Sequence, residues 1–174
     1  MGKFILPRKI KLTAHGQSNV FTKGPVERAE HVLMKAFIWA LYLPEYPDLT
    51  VEVRVGDRYK PDVVAVDEAL AIKDANGAFT FWGESGRVGE DKIFSLAKRF
   101  PTTHFAIAKW EKNLRPLEKM VREAVNARER TAPFDLLRFQ DGDADRFIDE
   151  RGNLTLTHDD LSDWIRILPE RSTL

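Results

Sequence analysis

Apolar residues recur along this chain at two different periods, and the change from one to the other marks where strands give way to helices. Residues 8–13 predict a first strand, and the polar run that follows through Asn19 predicts a loop. Gly24-Pro25 then opens a helix, because proline suits the first helical position and Glu27 suits the first turn. That helix is expected to run to about Leu43 and to stop before Pro44. Its apolar stripe is Val26, Ala29, Leu33, Phe37, Ala40 and Leu41, with Arg28, His31 and Lys35 on the other side.

Three strands are expected next. Residues 51–55 alternate with valine on one face, 62–66 are apolar on both faces as in a central strand, and 79–84 follow the turn signal Asn76-Gly77. The same turn predicts a hairpin between 70–73 and the strand at 79. Ile93, Phe94, Leu96, Ala97 and Phe100 keep helical spacing up to Pro101, 103–108 read as a short buried strand, and Leu117 to Val125 as another amphipathic helix. The tail predicts strands at 134–139 and 154–157, joined through Gly152-Asn153. A last helix follows, capped by Thr157 with Asp160, its apolar face being Leu161, Trp164, Ile165 and Leu168. The core order is therefore helix, three strands, helix, strand. This is an α/β arrangement with a central mixed sheet flanked by helices, and with a C-terminal hairpin and helix.

Length and composition narrow the field. With 174 residues, 43% hydrophobic and 31% charged, the chain is expected to form one globular domain over 1–174. The longest apolar run, 36–43, is far short of the roughly 20 residues of a membrane span. No secretory leader or myristoylation signal is evident at the N-terminus, so a soluble cytoplasmic protein without membrane partners is the expectation. The absence of cysteine excludes disulfides, zinc–thiolate centres and thiol catalysis. Net charge is zero but unevenly spread: residues 87–130 carry eleven basic and six acidic side chains, and 131–174 carry five and ten. A basic middle segment is compatible with a surface that tracks phosphates, and equally with ordinary solvated helices.

Candidate chemistry rests on carboxylates at element ends. Asp62 opens one apolar strand and Glu84 closes the next, with Gly83 beside it allowing close backbone approach. Neighbouring strand ends can bring two such acids together around a hard divalent cation. Glu30 projects at the edge of the buried stripe of the first helix, where a carboxylate needs a partner. Each acid also has an ordinary structural explanation: a buried salt bridge for Glu30, a turn for Asp62, and capping of the following helix for Glu84. Asp141-Gly142-Asp143-Ala144-Asp145 begins like a calcium loop, but Arg146 and Gly152 stand where glycine and glutamate are required, so a charged turn is expected. The four histidines have no ligand spacing, and the chain holds neither a phosphate-cradling glycine loop nor a serine nucleophile elbow.

Glu30, Pro61-Asp62 and Glu84 in this order of elements resemble the PD-(D/E)XK restriction-endonuclease-like superfamily. More closely, Glu27-x-x-Glu30 with Lys35 and Trp39, then Trp82-x-Glu84-x-Gly86, Ile93 and the Asp141-Gly142 tail, resemble the YaeQ family of bacterial proteins. The resemblance implies a nuclease-like protein that hydrolyses DNA or RNA phosphodiesters with Mg²⁺, or Mn²⁺ in its place. Asp62, Glu84 and the Ser85 carbonyl would be its ligands, with Glu30 acting through water. Gly86 stands where the superfamily has a catalytic lysine, so Lys92 is the expected substitute, with Arg87 and Lys73 as further candidates. Arg87 stays protonated and cannot serve as a base. The alternative is a catalytically inactive protein of the same fold that binds nucleic acid or a protein partner.

Overall fold

The computed structural model describes residues 3–73, 78–126 and 129–169, with the side chains of residues 71 and 73 outside the description. The expected loop at 14–19 is instead a tight reversal. Strand β1 (Lys9–Ala14) pairs antiparallel with β2 (Gln17–Thr22) across His15 and Gly16, both at positive φ. Two residues of left-handed backbone match the twist of a hairpin. The outward face of β2 is polar, which is why its sequence reads as a loop.

This hairpin covers the outside of helix α1 (Ala29–Tyr42). Leu12, Ala14 and Phe21 join Val32, Met34 and Trp39 in one core cluster, with the Phe21 and Trp39 rings edge to face at 5.6 Å. The helix is therefore buried from Val32 onward on nearly all sides, and is not the amphipathic surface helix its stripe predicts. It also begins four residues later than expected: Val26 lies outside it and is 97% exposed, and the Gly24–Glu27 turn precedes it.

The main sheet has the order β3-β4-β5-β6-β7-β8. Its strands are β3 (Thr50–Val51), β4 (Val63–Val66), β5 (Phe79–Ser85), β6 (His104–Trp110), β7 (Phe134–Phe139) and β8 (Asp163–Ile167). β5, β6 and β7 are mutually parallel and the other neighbours antiparallel. Parallel neighbours need crossovers, supplied by α3 (Glu90–Arg99) and α4 (Arg115–Asn126). Both crossovers pack on the face carrying Val64, Trp82, Ile107 and Leu136, while α1 packs on the face carrying Val63, Phe81, Ala108 and Leu137. Strand alternation thus assigns neighbouring residues of β5 to two different cores.

Several expectations are corrected. β3 is two residues long, because Glu52 takes φ +60 and turns the chain out of the sheet before Val53. Residues 70–73 belong to a helix, α2 (Glu68–Lys73), so no hairpin joins them to β5; Asn76-Gly77 lies outside the described residues. Residues 154–157 make only isolated bridges. Thr157 and Asp160 do form the expected capping box, but it closes a 3₁₀ turn at His158–Asp160 and no helix follows. The chain continues as β8, since the free edge of β7 takes an Asp163–Ile167 strand that satisfies its backbone. Asp141-Gly142 leads into a short helix α5 (Asp143–Phe147), with buried Asp143 accepting hydrogen bonds from the Gln140 N–H and Arg146. No helix among the described residues is long and apolar enough to cross a membrane.

Candidate active site

The strand end formed by β4 and β5 is built by their register. Val63 faces Gly83, and the Asp62 N–H donates to the Gly83 carbonyl at 3.1 Å, so Asp62 lies level with Glu84 one step beyond the ladder. A methyl group at Gly83 would sit 2.9 Å from Ile38 Cγ2 and 3.3 Å from Val63 Cβ, so glycine here lets α1 lie directly on the strand. This is also the C-terminal end of β5 and β6, the end at which open α/β sheets present their ligand sites.

The two carboxylates are held by different layers. Asp62 Oδ2 accepts the Ser85 N–H at 2.8 Å and the Ser85 hydroxyl at 2.9 Å, and lies 3.6 Å from His31 Nε2 of α1. Burial pushes this carboxyl up, but the bonds from His31 and Ser85 outweigh it and hold the group below the ordinary aspartate range. Glu84 Oε1 accepts the indole N–H of Trp82 at 2.9 Å and the ammonium of Lys92, from α3, at 2.7 Å. Burial raises the Glu84 carboxyl, the bonds from Lys92 and Trp82 oppose it, and the charge of Asp62 raises it again; the net shift is upward. Lys92 thus reaches back from its helix to the strand end, and its ammonium also lies 5.1 Å from the Tyr59 ring centroid.

Glu30, the acidic residue in the first turn of α1, does not join the two carboxylates. Glu30 lines a separate cleft of about 400 Å³ with Phe4, Trp110 and Asp141. Glu27 occupies the nearer position: its Oε2 accepts from His31 Nδ1 and from Lys35 Nζ, each at 2.6 Å, and its Oε1 accepts the Gly24 N–H. Lys35 is buried and bonds Glu52 as well. Hydrogen bonding to Asp62 raises the His31 imidazole, burial lowers it, and Glu27 raises it, with a net upward shift. Glu27 lies just before α1, and His31 and Lys35, four residues apart on that helix, both reach back to it. The stripe argument had put His31 and Lys35 on the far side.

Gly86 ends β5 at φ +84, donates its N–H to the Ala108 carbonyl at 3.0 Å, and has His31 Cδ2 3.6 Å from where a side chain would begin. Its carbonyl accepts from the ammonium of Lys109, on β6, a half-buried residue the sequence reading did not single out. Arg87 is exposed, and the Lys73 side chain is outside the described residues. Among the described residues, no three His, Cys, Asp or Glu side chains stand close enough to hold a metal ion.

No protein-family model matches the chain, and no curated protein matches it. Among solved structures, it is similar to the YaeQ protein from Pseudomonas syringae, with 15% identity and a TM-score of 0.49 over 70% of this chain and 61% of that one. It is likewise similar to the YaeQ protein from Xanthomonas axonopodis pv. citri, with 16% identity and a TM-score of 0.49 over 76% of this chain and 82% of that one. The match thus spans less than two thirds of the Pseudomonas protein.

Proposed function

We propose that the Asp62–Glu84 strand end is the centre of a Mg²⁺-dependent phosphodiesterase acting on nucleic acid, on a YaeQ-like, restriction-endonuclease-like sheet. The observation that carries this reading is the position of the two acids at one strand end: Asp62 immediately precedes β4, whose Val63 faces Gly83, and Glu84 follows Gly83 on β5. Glu84 is raised chiefly by burial, and further by the charge of Asp62, even with Lys92 and Trp82 bonded to it. Two carboxylates at one strand end gain from a shared divalent cation. Apart from the short helix α2 between β4 and β5, the chain order α1, β3, β4, β5, α3, β6 is the helix, three strands, helix, strand order expected from the sequence.

Asp62, Glu84 and the Ser85 carbonyl would hold the ion. When bound, Mg²⁺ supplies Lewis-acid polarisation of the phosphoryl oxygen and a more acidic water. Ser85 orients Asp62 through its N–H and hydroxyl, while Trp82 orients Glu84. Lys92 is the ammonium within reach of Glu84, and so the candidate for the function of the lysine that Gly86 replaces. Glu27 fixes the His31 ring so that Nε2 faces Asp62.

The second reading is a protein of this fold that binds nucleic acid or a protein partner without turnover. It is favoured by the bonds that Lys92 and Trp82 already make to Glu84 Oε1. Incubation of the purified protein with DNA and with RNA in Mg²⁺ or Mn²⁺, beside Asp62→Ala and Glu84→Ala, separates the two. Cleavage that disappears in both variants is expected; binding with no cleavage in either metal overturns the enzyme reading.

A further inference from the structure

Lys35 and Lys109 are both withdrawn from solvent, and their surroundings differ in kind. Lys35 is matched by two carboxylates, Glu27 and Glu52. Lys109 is half-buried on β6, and its hydrogen-bond partner is the neutral carbonyl of Gly86. The charges acting on it are those of Lys112 and Arg87, both exposed and both of its own sign; together with burial they lower its ammonium. Among the described residues, none of these three cations forms an ion pair.

Lys109 is half-buried with no ion-pair partner among the described residues, and a partly desolvated ammonium is costly unless an anion comes to it. A lysine ammonium has three donors, so Lys109 keeps two after bonding the Gly86 carbonyl. Arg87 adds a planar fork that matches two oxygens of one phosphate. Lys109 bonds the carbonyl of Gly86, two residues beyond Glu84, so its ammonium is tied to the strand end that follows the acidic pair.

We propose that Lys109, Arg87 and Lys112 form a phosphate-binding subsite at the ends of β5 and β6, taking a phosphate of the nucleic-acid backbone whose neighbouring diester lies at Asp62 and Glu84. For the identity of the polymer, this assignment rests on the phosphodiesterase reading. The affinity for phosphate does not, because it needs neither metal nor turnover.

Metal-free binding tests it. Fluorescence anisotropy of a labelled oligo-dT in EDTA compares the intact protein with Lys109→Met, the double variant Arg87→Ala/Lys112→Ala, and Lys119→Ala, an exposed lysine on α4. Lys109→Met and the double variant should each weaken binding about tenfold. They should also flatten the salt dependence by about 0.7 and about 1.4 in log–log slope, at about 0.7 per phosphate contact on a single strand. Lys119→Ala should leave both unchanged. Calorimetry with inorganic phosphate identifies the source: phosphate binding that is sensitive to Lys109 and as tight as the oligonucleotide upholds the subsite with free phosphate as ligand, whereas tighter oligonucleotide binding upholds the backbone. Thermal melts report whether Lys109→Met folds, and the double variant, altered at exposed positions, decides the matter if it does not. Wild-type affinity in both test variants, or an equal loss in Lys119→Ala, overturns the proposal. Lys109-dependent binding without cleavage in Mg²⁺ would remove the enzyme reading and keep the subsite. Cleavage with binding indifferent to Lys109 would do the reverse.

Discussion

Asp62 and Glu84 lie level across the β4–β5 ladder, yet each is anchored from a different face of the sheet, Asp62 by His31 of α1 and Glu84 by Lys92 of α3. The strand end is therefore a junction between two cores. A change in either helix is felt by one acid directly and by the other through charge.

Removing the Lys92 ammonium tests that junction. Lys92→Met deletes the strongest opposition to burial at Glu84, so its carboxyl should titrate higher still, while Asp62 stays low through its Ser85 bonds. Carboxyl-carbon NMR titration of the wild type and Lys92→Met reads this; an unmoved Glu84 would mean that the ion pair does not act in solution.

Divalent cation should stabilise the fold. An ion bound only by the native state at one hundred times its Kd adds about 2.7 kcal/mol. Mg²⁺ should therefore raise the melting temperature of the wild type and leave Asp62→Asn and Glu84→Gln unmoved. A rise in all three would place the ion elsewhere.

Gly83→Ala should destabilise the protein by about 1–3 kcal/mol, the usual cost of overpacking a core. The added methyl meets Cγ2 of Ile38, which is fully buried. Urea denaturation measures the loss, and Ile38→Ala, which removes Cγ2, should cost less in the Gly83→Ala chain than in the wild type.

Acid stability should depend on the opposite end of the sheet. Buried Asp135 accepts from Tyr42 at 2.6 Å, from His104 Nε2 at 2.8 Å and from both Nε and Nη2 of Arg166 at 2.9 Å. Burial opposes ionisation, but the bonds from His104 and Arg166 prevail and bring the carboxyl to about 2. A depressed carboxyl contributes stability that is present above its unfolded value, near 4, and lost as pH falls from there towards 2. Asp135→Asn should abolish that dependence and cost about 3–5 kcal/mol at neutral pH, because Arg166 loses its counter-charge. Unfolding free energy measured against pH for both proteins checks the sign and the size.

The strands at 134–139 and 79–85 and helices α3 and α4 were legible because burial on the sheet forces their periods into the sequence. β2 and β8 were not: one shows a polar outer face and the other fits a helical stripe as well as a strand, so their state depends on the partner each finds. The same holds at the candidate site. Asp62, Glu84 and Lys92 could be named from position in the chain, since strand ends and the following helix are local features. Glu27 in place of Glu30, the role of His31 beside Gly86, and the unmatched charge on Lys109 could not, because the hairpin over α1 and the parallel pairing of β5 with β6 set them. By itself the sequence determined α3, α4, the central strands and which acids stand at their ends, because those follow from nearest-neighbour geometry. Only the tertiary structure decided which side chains face one another, because that depends on which elements meet across the sheet and how much water they exclude between them.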